Sequence, residues 1–133
     1  MSGLLLDTHA FLWLAERSSD LPEALREQIR QSPRPRFVSI ATAWEIAIKN
    51  GLGKLELAMP MGELFGPALS PHGIDILPID LSDTIRCAAL GFPDPMHRDP
   101  FDRMLVAQAL ERGLTIVSRD PVLDTYSVPR LWA

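Results

Sequence analysis

Five acidic residues stand where acids could do chemistry: Asp7, Glu45, Asp99, Asp102 and Asp120. Asp99 and Asp102 open the stretch Asp99-Pro100-Phe101-Asp102-Arg103-Met104-Leu105-Val106-Ala107-Gln108-Ala109-Leu110, which reads as a capped helix. Asp99 suits the N-cap and Pro100 the first helical position, where a missing N–H removes no hydrogen bond. Asp102 then falls at the second corner of a capping box. Capping alone, at about 1 kcal/mol for the N-cap, accounts for both acids. The other carboxylates point further. Asp7 directly follows Leu4-Leu5-Leu6, and Asp120 follows Leu114-Thr115-Ile116-Val117-Ser118. Glu45 lies between Trp44 and Ile46, where a carboxylate is costly unless something cationic holds it. Lys49, one helical turn on, can pair with it.

The elements that must position these residues alternate in kind. Leu4–Leu6 has the pattern of a strand buried on both faces, and Thr8 to Glu16 reads as a helix after it. Pro22 opens a second helix, with Leu21, Leu25 and Ile29 on one face. Phe37-Val38-Ser39 is the next strand. Ile40 to Lys49 is apolar nearly all round, which predicts a helix buried over most of its surface. Gly51-Leu52-Gly53-Lys54 ends it. Pro60 starts a weaker helix whose stripe of Met61, Leu64, Phe65, Ala68 and Leu69 reads as core. Ile74 to Ile79 reads as a strand, and Ser82 can cap a helix from Asp83 to Leu90. Leu114 to Ser118, β-branched at its centre, is the clearest strand. This alternation predicts an α/β fold in three layers, helices covering both faces of a central, mainly parallel sheet of four to five strands. The carboxyl ends of such strands share one edge, where open sheets bind ligands. Asp7, Asp120 and the Ser39 end of the second strand all point there.

A cluster of acids at one edge has an electrostatic consequence. Two carboxylates about 6 Å apart repel by roughly 3 kcal/mol at an effective dielectric near 20, so the six pairs among four acids sum to on the order of 15 kcal/mol. That rivals the stability of a whole domain, so the acids must be protonated, dispersed or neutralised by cations. An all-oxygen set with no Cys and no His pair suits Mg²⁺, with Mn²⁺ as substitute, rather than Zn²⁺. Carboxylate-held Mg²⁺ is the equipment of phosphodiester hydrolysis, because the ion activates water and stabilises the leaving oxygen.

Composition sets the remaining bounds. The chain has 133 residues, 47% hydrophobic and 23% charged, which fits one globular domain over residues 1–133. The single Cys87 excludes an internal disulfide framework; set among Ile85, Ala88, Ala89 and Leu90, it reads as a buried structural thiol. The net charge of −4 argues against a basic nucleic-acid coat protein but not against a nuclease whose acids hold a cation. No signal peptide and no apolar run near the ~20 residues of a membrane span is visible, so the expected location is the cytoplasm, away from membranes.

The motifs Leu5-Leu6-Asp7-Thr8-His9-Ala10, Ser39 with Trp44-Glu45-Ile46-Ala47-Ile48-Lys49, Leu52-Gly53-Lys54-Leu55, His97-Arg98-Asp99-Pro100-Phe101-Asp102-Arg103 with the residues through Ala109, and Ser118-Arg119-Asp120 resemble the VapC-type PIN-domain toxins. The resemblance runs in order from Leu5 to Trp132. It implies a PIN-like fold and a metal-dependent endoribonuclease that cleaves RNA and is restrained by a VapB-type antitoxin. A homodimer or a higher hetero-oligomer with the antitoxin is a family expectation. Carried over by position, Asp7, Glu45 and Asp102 match the core acidic triad and Asp120 the fourth acid. Asp99 assists the metal or caps the helix. Arg98, Arg103, Arg119 and Lys49 are candidate phosphate contacts, and Ser118 a further substrate-side candidate where the family often has Thr. His9 and His97 are read as structural hydrogen-bonding residues.

Two other acid-bearing classes fit less well. A phosphoryl-receiving signalling domain wants an acidic pair near the first strand and a Lys after the last. A haloacid-dehalogenase-type phosphatase wants a second Asp where His9 stands. The alternative from a different class is a catalytically weak PIN-fold module acting mainly through a protein partner. The Met61–Leu69 stripe, if any of it lies outside the core, and the Trp13-Leu14 helix are the first surfaces to inspect for one.

Overall fold

The computed structural model describes residues 2–132. Among them, Leu4–Leu6 forms β1, Arg36–Ser39 β2, Ile74–Leu77 β3, Thr115–Val117 β4 and Arg130–Leu131 β5. The sheet order is β3-β2-β1-β4-β5 and every pairing is parallel. Leu5 at the centre lies level with Phe37 on one side and Ile116 on the other.

The period of a strand divides the core in two. Leu4 and Leu6 face a cluster built with Phe11, Leu14, Leu25, Ile29 and Leu64. These come from α1 (Thr8–Ala15), α2 (Glu23–Gln31) and α4 (Met61–Leu64). Leu5 faces the opposite way, into a cluster with Ala41, Leu105, Val106, Ala109 and Ile116. That side is covered by α6 (Pro100–Arg112), with α5 (Leu81–Ala88) packed on it. The three-layer expectation holds, with all strands parallel. The stripe from Met61 to Leu69 is core, as read: Leu64 and Leu69 are buried and Met61 and Phe65 pack against them. Among the described residues no helix is long and apolar enough to cross a membrane.

Three local expectations are corrected. Helix α3 (Ile40–Gly51) is not buried nearly all round; Ala41, Thr42, Glu45 and Ile46 face inward, while Trp44 is 64% and Leu52 65% exposed. Apolar composition hid the asymmetry, because only one side of this helix meets α1 and α6. The cap of α5 is Asp80, not Ser82. With Asp80 at that position, Asp83 accepts its N–H at 2.8 Å and pairs, fully buried, with Arg112 of α6 at 2.8 Å. Cys87 is half-buried rather than buried.

Candidate active site

The site is assembled at the carboxyl edge of the sheet. The order 3-2-1-4-5 runs outward in both directions from β1, so β1 and β4 flank the topological switch, where open sheets place ligands. Asp7 follows β1 and caps α1, its Oδ1 accepting the Ala10 N–H at 2.8 Å. Its own N–H donates to the Val117 carbonyl at 3.1 Å, fastening it to the end of β4. Burial pushes the Asp7 carboxyl above the usual range, against the relief given by the Ser118 hydroxyl, the Ala10 N–H and His9; the charge of Glu45 pushes it further up.

Glu45 reaches the same region from α3. It is 5% exposed and accepts the Thr8 hydroxyl at 2.6 Å. The Thr8 proton being used there, Thr42 must donate to Thr8 across 3.3 Å. The other Glu45 oxygen pairs with Lys49 one turn along. Both threonines are buried, and neither stood out in the sequence reading. The available signal was positional: Thr8 adjoins one acid and Thr42 precedes the other by three residues on the same helix face.

Asp99 caps α6, accepting the N–H groups of Phe101 at 2.8 Å and Asp102 at 2.9 Å. Asp102 does not turn back to complete a capping box. Its Oδ2 lies 3.1 Å from His97 Nε2. His97 Nδ1 lies 2.7 Å from the Tyr126 hydroxyl, to which Arg103 donates at 3.3 Å. One consistent direction runs through this chain: Arg103 donates to Tyr126, Tyr126 to His97 Nδ1, and the Nε2–H to Asp102. His97 thus has the structural hydrogen bonds read for it. Burial pushes Asp102 up to about 6; His97 opposes the rise, and the charges of Asp99 and Asp7 add to it.

Asp120 stands apart. It follows β4, caps the 3₁₀ turn Pro121–Tyr126 by accepting the Val122 N–H at 3.0 Å, and is exposed. The Ser118 hydroxyl accepts the Asp120 N–H at 3.1 Å and also bears on Asp7, so this one side chain links the two acids. Ser118 is itself fully buried, turned to Asp7 and Asp120 and away from solvent. Arg103 is also turned inward. It is 8% exposed, donates to the Gly91 carbonyl at 2.6 Å and lies 3.9 Å from the Phe92 ring centroid. Arg98 and Arg119 remain on the surface, set against Phe92 and Trp13.

The donor chemistry suits a hard divalent cation. Lys49 carries one positive charge among the acids, held well protonated by the Glu45 hydrogen bond and by the charges of Glu45, Asp99 and Asp102. One ammonium cannot neutralise Asp7, Glu45, Asp99 and Asp102 together; burial is the main reason Asp7 and Asp102 are raised, and the neighbouring acids add to it. Among the described residues no three metal-ligating side chains already converge on a single point.

Among folds with a parallel α/β/α sheet and acids at its switch point, the PIN domain family is the one whose model matches this chain, over residues 4–128. The chain belongs to that family. Over 130 residues it is 25% identical to a protein of Mycobacterium tuberculosis named Ribonuclease VapC22, covering 98% of this chain and 96% of that one. Its fold is similar to a chain in the DNA-bound VapBC2 structure from Rickettsia felis (TM-score 0.72, 13% identity, 96% of each chain). It is also similar to one in the FitAcB structure from Neisseria gonorrhoeae (TM-score 0.63, 18% identity, 97% of this chain and 96% of that one). The VapC-type resemblance read in the sequence thus holds at the level of family and fold.

Proposed function

We propose that this protein is a Mg²⁺-dependent endoribonuclease, Mn²⁺ substituting, and the toxin of a toxin–antitoxin pair held in check by a VapB-type antitoxin. The observation that carries the proposal is Asp7 at the end of β1 beside β4, with Glu45 and Asp102 close enough for their charges and that of Asp7 to act on one another. The M. tuberculosis relative named a ribonuclease and the similar folds in VapBC structures support it.

Asp7, Glu45 and Asp102 are the residues that would hold the cation, with Asp120 and Asp99 at its margin. When bound, the ion supplies an activated water and charge neutralisation at the phosphate. The protein's own groups prepare for this. Thr8 and Thr42 fix the Glu45 carboxylate, and His97, oriented by Tyr126, fixes Asp102. Arg119 and Arg98, exposed cations following β4 and preceding α6, are the candidates to contact RNA phosphates.

The exposed apolar side of α3 supports assembly with a protein partner. Ile40, Trp44, Ile48 and Leu52 recur every four residues there. A homodimer or a complex with the antitoxin would cover them.

The test is cleavage of a mixed RNA pool by partner-free protein with Mg²⁺, Mn²⁺ or EDTA, beside Asp7→Asn and Asp102→Asn. Cleavage by the wild type only, and only with a cation, is the expected result. Equal cleavage by the variants, or indifference to EDTA, would overturn the proposal. Co-expression with the neighbouring reading frame should yield a stable complex. Active acids with no co-purifying small protein would leave a nuclease and remove the antitoxin.

A further inference from the structure

The sheet edge opposite the acids carries a second concave feature. The last turn of α1, the inner side of α2 and the starts of β2 and β3 enclose a cavity of about 820 Å³. That size suits a small-molecule ligand. Its floor is apolar, from the buried Leu14, Leu21 and Ile29. Its rim is cationic: Arg17, Arg26 and Arg36 stand with His72, and the single lining acid, Glu23, lies 3.5 Å from Arg26 and pairs with it. A fourth arginine, Arg30, is already paired with Glu27.

This rim is preorganised. Carbonyl oxygens at the end of α2 accept from the Arg36 guanidinium, those of Ile29 at 2.7 Å and Ser32 at 2.9 Å. Arg26 donates to the Ser18 carbonyl at 2.8 Å. Arg17 has a φ of 55°, a left-handed conformation unfavourable for a residue with a side chain, and its guanidinium makes no hydrogen bond among the described residues. That backbone belongs to the helix stop of α1, where the Ser18 N–H donates to the Trp13 carbonyl at 2.9 Å and the Arg17 N–H to the Leu14 carbonyl at 3.3 Å, and it holds the Arg17 side chain at the cavity mouth. His72 is half-buried, and burial together with the charges of Arg17, Arg26 and Arg36 pushes its pKa down, leaving a neutral imidazole that can donate one N–H.

We propose that this cavity binds a small organic phosphate, its phosphoryl group on the arginine rim and its ring or hydrocarbon body on the Leu14, Leu21 and Ile29 floor. The Arg17 guanidinium, the Nη1 groups that Arg26 and Arg36 leave unbonded among the described residues, and one imidazole N–H match the acceptor oxygens and double charge of a phosphoryl group better than the single charge of a carboxylate. The apolar floor distinguishes the cavity from a track for an RNA backbone, which needs only surface cations. The site uses none of the acidic residues, so it stands whether or not the chain cleaves RNA.

Phenyl phosphate, the simplest ring-bearing phosphate, tests this on the full chain in EDTA, which keeps cations from recruiting phosphate to the acids. The expected result is a specific shift of the His72 ring resonances, with those of His9 and His97 unmoved. Calorimetry should show tighter binding than for inorganic phosphate or phenol. Arg17→Gly, which suits the left-handed backbone and so preserves the fold, should weaken binding about tenfold or more, as expected for loss of a charged hydrogen bond. Arg26→Gln provides a second variant, with melting curves as the control for folding. An unmoved His72, or binding unchanged in Arg17→Gly, would overturn the proposal. Tighter binding of hexaglutamate would assign the cavity to an acidic peptide instead, and tighter binding of oligouridylate to RNA.

Discussion

Burial pushes the carboxyls of Asp7 and Asp102 upward, Asp102 to about 6. An acid whose pKa is higher in the fold than in the unfolded chain keeps its proton longer when folded. Between pH 4 and pH 6, roughly, the native state binds more protons at Asp102, so its contribution to stability falls as pH rises through that window. In the cation-free protein at pH 7.5, Asp102→Asn should therefore raise the melting temperature by on the order of a few degrees, with the gain shrinking toward pH 4.5. Mg²⁺ should raise the wild-type melting temperature at pH 7.5 and not that of the variant. Melting curves at the two pH values, with and without Mg²⁺, decide this; a variant less stable than wild type at pH 7.5 would remove the electrostatic account. Thr8 supplies the complementary case. Thr8→Val keeps the shape but leaves the buried Glu45 oxygen without its hydroxyl donor, and should destabilise by about 1–3 kcal/mol in urea denaturation. A neutral result would mean that Lys49 alone satisfies Glu45.

The first turn of α6 combines two functions that substitution can separate. Asp99→Asn retains an oxygen acceptor for the Phe101 and Asp102 N–H groups, whereas Asp99→Ala removes it. Capping alone predicts that Asn is tolerated and Ala costs about 1 kcal/mol in denaturant melts. If Asp99 also serves the cation, Asn will lower Mg²⁺ affinity at unchanged stability, a difference that calorimetry resolves. This turn also shows what a sequence can disclose. Asp99 and Pro100 announce a helix start because capping is local chemistry, and Gly113 ends the helix at a φ of 66° for the same reason. The acids at strand ends were legible too, since a parallel sheet sends every carboxyl terminus to one edge. What stayed hidden depends on distant partners. His97, Tyr126 and Arg103 form one chain only after the 3₁₀ turn folds back onto α6. The solvent side of α3 was misread because apolar residues look alike in sequence, whether they await the core or a partner.

At the scale of the molecule, that exposed α3 face should set the assembly state. Trp44→Glu with Ile48→Lys should convert a self-associated species to a monomer without lowering the melting temperature, as read by light scattering after size exclusion. A monomeric wild-type protein would leave this face to the antitoxin alone. The sheet order has a different consequence, one of timing. β1 emerges first during synthesis, but its neighbour β4 begins only at Thr115, and the Val117 carbonyl that anchors Asp7 comes later still. Neither Ser118 nor the Tyr126 that orients His97 exists in a chain cut before that point. The acid-bearing edge is therefore completed only after the segment from Thr115 to Tyr126 has emerged, so a chain cut before Thr115 should lack the anchored Asp7 and the oriented His97.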